Sequence, residues 1–131
     1  MGIKYEIASD IRNIVDDLAI TLFPHVKIDF ISCIRSFGSS TRRTIARCHS
    51  LGKAMQLGMG RDKGFYVIEV ISKQFDRLSE KEKLKVLIHE LMHIPKSFGG
   101  GFRHHDFVCE KNIEREYQKY ISLKQGINKK W

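Results

Sequence analysis

Between Ser79 and Pro95 the chain has little choice but to form a helix. Ser79 followed three residues later by Glu82 fits a capping box, in which each side chain satisfies an orphan amide of the other residue. From there EKEKLKVLIHELMHI runs to Pro95, polar in its first turn and with Leu84, Leu87, Ile88, Leu91 and Met92 supplying an apolar face. Proline removes the amide that would continue the ladder, so it ends the segment.

The elements around this helix predict an α+β domain. Upstream, Ile7, Ile11, Ile14, Val15, Leu18 and Leu22 recur at three- and four-residue spacings and predict a first helix, ended by Pro24. VKIDFISCI (26–34) reads as a strand, Ser36 to Thr41 as a turn, and TIARCHSL (44–51) with KAMQLGM (53–59) as a second strand or bent strand pair. FYVIEVI (65–71) is the clearest strand signal. After the helix comes the glycine-rich loop KSFGGGF (96–102), then a last helix beginning near Asp106 with Phe107, Ile113, Tyr117 and Tyr120 or Ile121 on one side, ended by Gly126 or the polar tail. The expected order is helix, small antiparallel sheet, helix, Gly loop, C-terminal helix. No repeat or linker interrupts it, so residues 1–131 read as one domain.

The long helix also carries chemistry. In HELMH (89–93), His89 and His93 are four residues apart and share a helix face, so both imidazoles can meet one metal ion. Glu90 then lies within reach of a water on that ion and can take its proton. A catalytic zinc site wants three protein ligands and an open position. His104 and His105, eleven and twelve residues after His93 across the glycine loop, are the candidates for the third. This spacing does not fit the metzincin pattern, in which the third histidine follows sooner, and Met92 is not a Met-turn. Arg103 reads either as a group that steadies an oxyanion or orients substrate, or as a structural anchor. His25 and His49 read as ordinary strand-end residues, Tyr117 and Tyr120 as core, and Ser97 has no evident base partner.

HELMHIPKSFGGGFRHH closely resembles the signature of metallopeptidases found in archaea and phages: HEL-x-HIP, an aromatic residue, a glycine pair, then Arg-x-His. The specific match spans about seventeen residues. The element order more distantly resembles the SprT-like and Spartan proteases. The resemblance implies a zincin-like fold, one zinc per chain held by His89, His93 and His105, Glu90 as general base, and a protein or peptide substrate. His104, in the variable place, stays open as an alternative ligand. By the same resemblance, FYVIEVI or its neighbouring strand would pair with an extended peptide. Two rival readings remain: a nucleic-acid-binding protein with a structural zinc closed by Cys109 or the second histidine, and a metal-dependent hydrolase of a non-peptide substrate.

Charge and cysteine narrow the setting. The net charge of +8 is concentrated in residues 35–63 and 111–131, which together hold thirteen basic and three acidic side chains. That bias raises nucleic acid or another polyanion as a partner, against a merely solvated surface, and the distant resemblance to Spartan implies DNA, with Arg42, Arg43 and Arg47 as contacts. Three scattered cysteines are no disulfide framework. Cys33 and Cys48 read as buried free thiols rather than as a bonded pair on facing strands. No apolar run is long enough to span a bilayer and no secretory leader is visible, so the expectation is a cytoplasmic protein without membrane contact.

Overall fold

A computed structural model describes residues 2–103 and 107–129, with side chains through 126. It has strands β1 (Lys4–Ile7), β2 (Ile31–Phe37), β3 (Ala46–Ser50) and β4 (Tyr66–Ile71). Its helices are α1 (Ser9–Leu22), α2 (Lys53–Gly58), α3 (Ser72–Phe75), α4 (Glu80–Met92) and α5 (Glu110–Lys129). The class is α+β, as expected.

The strands form one sheet in the order β1-β2-β4-β3. It is mixed rather than antiparallel: β1 pairs antiparallel with β2 and β3 with β4, but β2 and β4 run parallel from Ile31↔Tyr66 to Ser36↔Ile71. After β2 the chain runs out to β3, returns through α2, and β4 then enters between the two. β4 is buried on both faces along most of its length, which is why its sequence is nearly continuous apolar.

The core lies on one sheet face. By register, Ile31, Cys33, Tyr66, Ile68 and Val70 point the same way. They pack with Ile11, Val15, Leu18 and Ala19 of α1 and with Leu87, Ile88, Leu91 and Met92 of α4. α5 lies against α1 and α4 and adds Ile113. Its partly buried Tyr120 hydroxyl donates to Asp17, and Lys124 Nζ reaches the same carboxylate at 2.8 Å. Lys85 and Glu110 link α4 to the start of α5 at 2.8 Å.

Several sequence expectations need correction. Ile7 is not on the α1 face: residues 4–7 form β1, the Ala8 amide continues the pairing to the Cys33 carbonyl at 3.0 Å, and Ile7 is 77% exposed. KAMQLGM is helix α2 over most of its length rather than strand. Ala, Met, Gln, Leu and Lys are all good helix formers, and the apparent alternation buries no apolar side chain, since Gln56 alone is buried there. Strand β2 starts at Ile31 after a 3-10 turn over Ile28–Phe30, and the following turn starts after Phe37, with Gly38 at φ 86°. Helix α4 ends at Met92, with His93 as its C-cap, and α5 starts at Glu110 and runs through Gly126 to Lys129. Asp106 lies outside the described residues. Cys33 and Cys48 stand opposite Ile68 from either side of β4, not opposite each other, and all three cysteines are free. Burial pushes the Cys33 thiol up to about 12.

The capping box is present. Ser79 Oγ accepts from the Glu82 amide at 3.2 Å, and Glu82 Oε1 accepts from the Ser79 amide at 3.4 Å. Ser79→Ala should therefore lower the unfolding free energy by about 1 kcal/mol, read as a lower urea midpoint at unchanged slope.

Candidate active site

The buried stripe of α4 sets the direction of everything else on that helix. With Leu87, Ile88, Leu91 and Met92 turned into the core, Val86, His89, Glu90 and His93 fall on an adjoining face, at spacings of three, four and seven. The His89 and His93 rings lie with centroids 5.0 Å apart, tilted by 48°. His93 caps the helix in αR conformation (φ −70°, ψ −17°), so the helical spacing persists through it. Glu90 is 8% exposed, and burial pushes its carboxyl up to about 7. Across from it on β3 is Cys48, whose thiol is raised by burial and further by the charge of Glu90.

Beyond His93 the chain makes a closed loop. The Arg103 amide donates to the His93 carbonyl at 2.7 Å, and His93 Nδ1 lies 3.1 Å from the Arg103 carbonyl. A carbonyl can only accept, so Nδ1 carries the proton in this bond. Tyr66 pins the loop to the sheet: its hydroxyl donates to the Gly101 carbonyl at 3.0 Å and accepts from the Gly100 amide at 3.1 Å. The Gly64 amide donates to the Phe98 carbonyl at 2.8 Å. A Cβ on Gly64 would fall 2.9 Å from the Gly100 nitrogen, so this approach needs glycine. The turn itself uses positive φ at Phe98 (52°), Gly100 (105°) and Gly101 (79°). Phe98 is strained there, and its complete burial against Tyr66, ring centroids 5.0 Å apart, offsets the cost. His25 Nε2 donates to the Ile94 carbonyl at 3.0 Å and so steadies the chain just past α4.

A cleft of about 250 Å³ opens between α4 and the β3 edge, lined by Arg43, Thr44, Ile45, Ala46, Val86, His89 and Glu90. β4 is central, so its neighbour β3 is the edge strand on this side. Ile45 and Leu51 bond to β4 (Ile71 amide to Ile45 carbonyl 2.8 Å, Leu51 amide to Phe65 carbonyl 2.9 Å), which makes the odd-numbered residues the bonded ones. The main-chain groups of Ala46 and Cys48 therefore point outward from the edge.

His104 and His105 lie outside the described residues. Among the described residues no group of three or more His, Cys, Asp or Glu side chains is arranged to hold a metal ion. The Arg103 guanidinium stacks over Phe107 at 3.4 Å from the ring centroid. Its side chain is thus engaged with an aromatic ring while its main chain holds His93. Arg42 and Arg43 are exposed in the loop before β3, and Arg43 reaches the cleft. Arg47 is half-buried on the other sheet face, opposite Glu69. Sequence reading missed Tyr66, Gly64 and the Arg103 carbonyl as parts of the site, because an aromatic in a strand or a main-chain oxygen leaves no local signature.

Removing the Tyr66 hydroxyl leaves the Gly100 amide without its partner. Tyr66→Phe should cost about 1–2 kcal/mol in unfolding free energy and speed amide exchange in the 99–101 loop while the sheet stays protected.

A family model described as "Putative phage metallopeptidase" matches residues 3–129. No curated protein and no solved structure matches the chain. With the match covering nearly its whole length, the chain belongs to the phage metallopeptidase family.

Proposed function

We propose that residues 1–131 form one zincin-like domain, distantly SprT-like, that hydrolyses peptide bonds with zinc held by His89, His93 and His105 and with Glu90 as general base. The observation that carries this reading is the arrangement on α4: two imidazoles one turn apart, one of them fixed as the Nδ1-protonated tautomer, with a buried carboxylate between them. The donor set fits zinc, which takes neutral imidazole nitrogens readily. Because Arg103 is bonded back to His93, a ligand one or two residues further on needs no long excursion to reach the same ion. His105 is the assignment, with His104 as the alternative.

Bound zinc would acidify a water and polarise the scissile carbonyl. Glu90 would take the proton of the attacking water as its oxygen adds to the scissile carbonyl carbon. Burial pushes its carboxyl up, and the charge of a zinc ion beside it would draw it back down toward the ionised form a base needs. Glu90 would then give that proton to the amide nitrogen as the C–N bond breaks, releasing the amine. The substrate chain lies along β3, pairing with the outward main-chain groups of Ala46 and Cys48, which brings a peptide bond beside Glu90.

The purified protein should carry one zinc per chain by elemental analysis, and His89→Ala or His93→Ala should lose it, since two protein ligands rarely retain zinc. Glu90→Gln should keep metal and fold but hydrolyse casein or a peptide library at least about 100-fold more slowly. If that variant instead cleaves as fast as wild type, Glu90 is not the base. If wild type binds zinc and cleaves nothing, the structural-zinc reading takes over.

In a chelator competition titration, His105→Ala should weaken zinc binding more than His104→Ala. The reverse order moves the third ligand to His104.

A further inference from the structure

We propose that the cleft between α4 and the β3 edge is a substrate side-chain pocket, and that Arg43 makes it select an acidic residue next to the scissile bond. The proposal rests on the peptidase reading above and adds the substrate class.

The pocket is small, and Arg43 is the cation on a lining whose carboxyl group, Glu90, is taken up by the attacking water in the peptidase reading. Ile45, Ala46 and Val86 supply apolar lining, Thr44 adds a hydroxyl, and His89 and Glu90 bring it to the reacting centre. A volume of about 250 Å³ takes one side chain and no more of a peptide. A peptide paired with Ala46 and Cys48 runs along this wall, and strand geometry sends alternate side chains toward α4. The one that falls beside Glu90 enters the pocket. Arg43 lies on its lining, exposed, and among the described residues it has no carboxylate partner, unlike Arg12, Arg35 and Lys85. Arg42 beside it adds a second exposed positive charge to the loop. A guanidinium presents a rigid fork of donors that matches a carboxylate in two bonds. The apolar lining covers the methylenes that carry such a carboxylate. A lysine or arginine side chain in this pocket would meet a like charge, so the discrimination has an attractive and a repulsive component.

The test compares the zinc-loaded wild type with Arg43→Ala and Arg43→Glu on matched peptides that differ at one residue flanking the cleaved bond: Glu, Gln or Lys. Wild type should favour Glu over Gln by about tenfold in kcat/KM, the size of a charge-assisted bond of about 1.4 kcal/mol. Arg43→Ala should bring that ratio near one, and Arg43→Glu should invert the preference toward Lys, an inversion that loss of structure does not produce. The same three peptides, labelled and bound to zinc-loaded Glu90→Gln protein and its Arg43→Ala and Arg43→Glu derivatives, give a readout by anisotropy that needs no turnover. If wild type cleaves nothing but the Glu peptide binds best and the order inverts with Arg43→Glu, the pocket stands and hydrolysis falls. If peptides are cleaved with no dependence on Glu, Gln or Lys, the pocket assignment is wrong and the peptidase reading survives. If Arg43→Ala weakens duplex DNA binding while leaving the peptide ratios untouched, the arginine serves a nucleic acid and the proposal is overturned.

Discussion

The structure depends on one constraint: α4 must bury one stripe completely while the adjoining stripe stays open to a cleft. Leu87, Ile88, Leu91 and Met92 are at most 1% exposed. Each contributes roughly 1.5–3 kcal/mol of burial, enough together to hold the rotational phase of the helix against any gain from turning it. A turn of one residue would put His89 or Glu90 into the core and a leucine into the cleft. Packing and chemistry are thus written on the same thirteen-residue helix and its C-cap His93, whose ring the Arg103 carbonyl holds.

What that helix cannot do alone is fix the chain beyond its own C-terminus, and the 93–103 loop answers this. It returns to the helix end that it left, closing on His93 through both main chain and ring. The closure explains the sequence around it. Gly64 has room for no side chain, Gly100 sits against the Gln56 amide, and Tyr66 spends its hydroxyl on two loop groups. The same bonds fix the tautomer of His93, so the fold of the loop and the chemistry of the nitrogen are one arrangement.

The features legible in the sequence were those with local causes. The start of α4 was readable because Ser79 and Glu82 are three residues apart, and its end because of Pro95. HELMH was readable because helix geometry converts a spacing of four into proximity. β4 announced itself by a continuous apolar run. The parallel pairing of β2 with β4 left no trace, since it depends on where a later strand inserts and not on either strand's composition. β1 was absorbed into the α1 pattern because Ile7 happens to continue the helical spacing, although the partner that makes it a strand is Ile34, far along the chain. α2 failed for the opposite reason: its alternation was real, but Met55, Leu57 and Met59 are all exposed, so the period reported no buried face. Arg43 was legible as charge and not as position, because nothing in the sequence says which surface arginine lines the cleft that Glu90 lines.

Edge strand β3 poses the last physical question, since a five-residue strand with outward main-chain groups needs something to stop it slipping along its own sheet. The outer face supplies the answer. Glu69 on β4 is 1% exposed, and its Oε1 accepts from His49 Nε2 at 2.7 Å. Burial alone would raise this carboxyl, yet it is held below its ordinary value by the adjacent Ser36 hydroxyl, by His49 and by Arg47. A slip of one residue would turn Arg47 and His49 toward α4 and move Cys48 to the outer face, because strand side chains alternate with a period of two. Glu69 would then be buried with no cation near it, and two polar residues would enter the core. A charge that is costly to bury is therefore tolerable here as a register pin. It fixes which residues of β3 face α4, and with them the position of the cleft wall relative to Glu90.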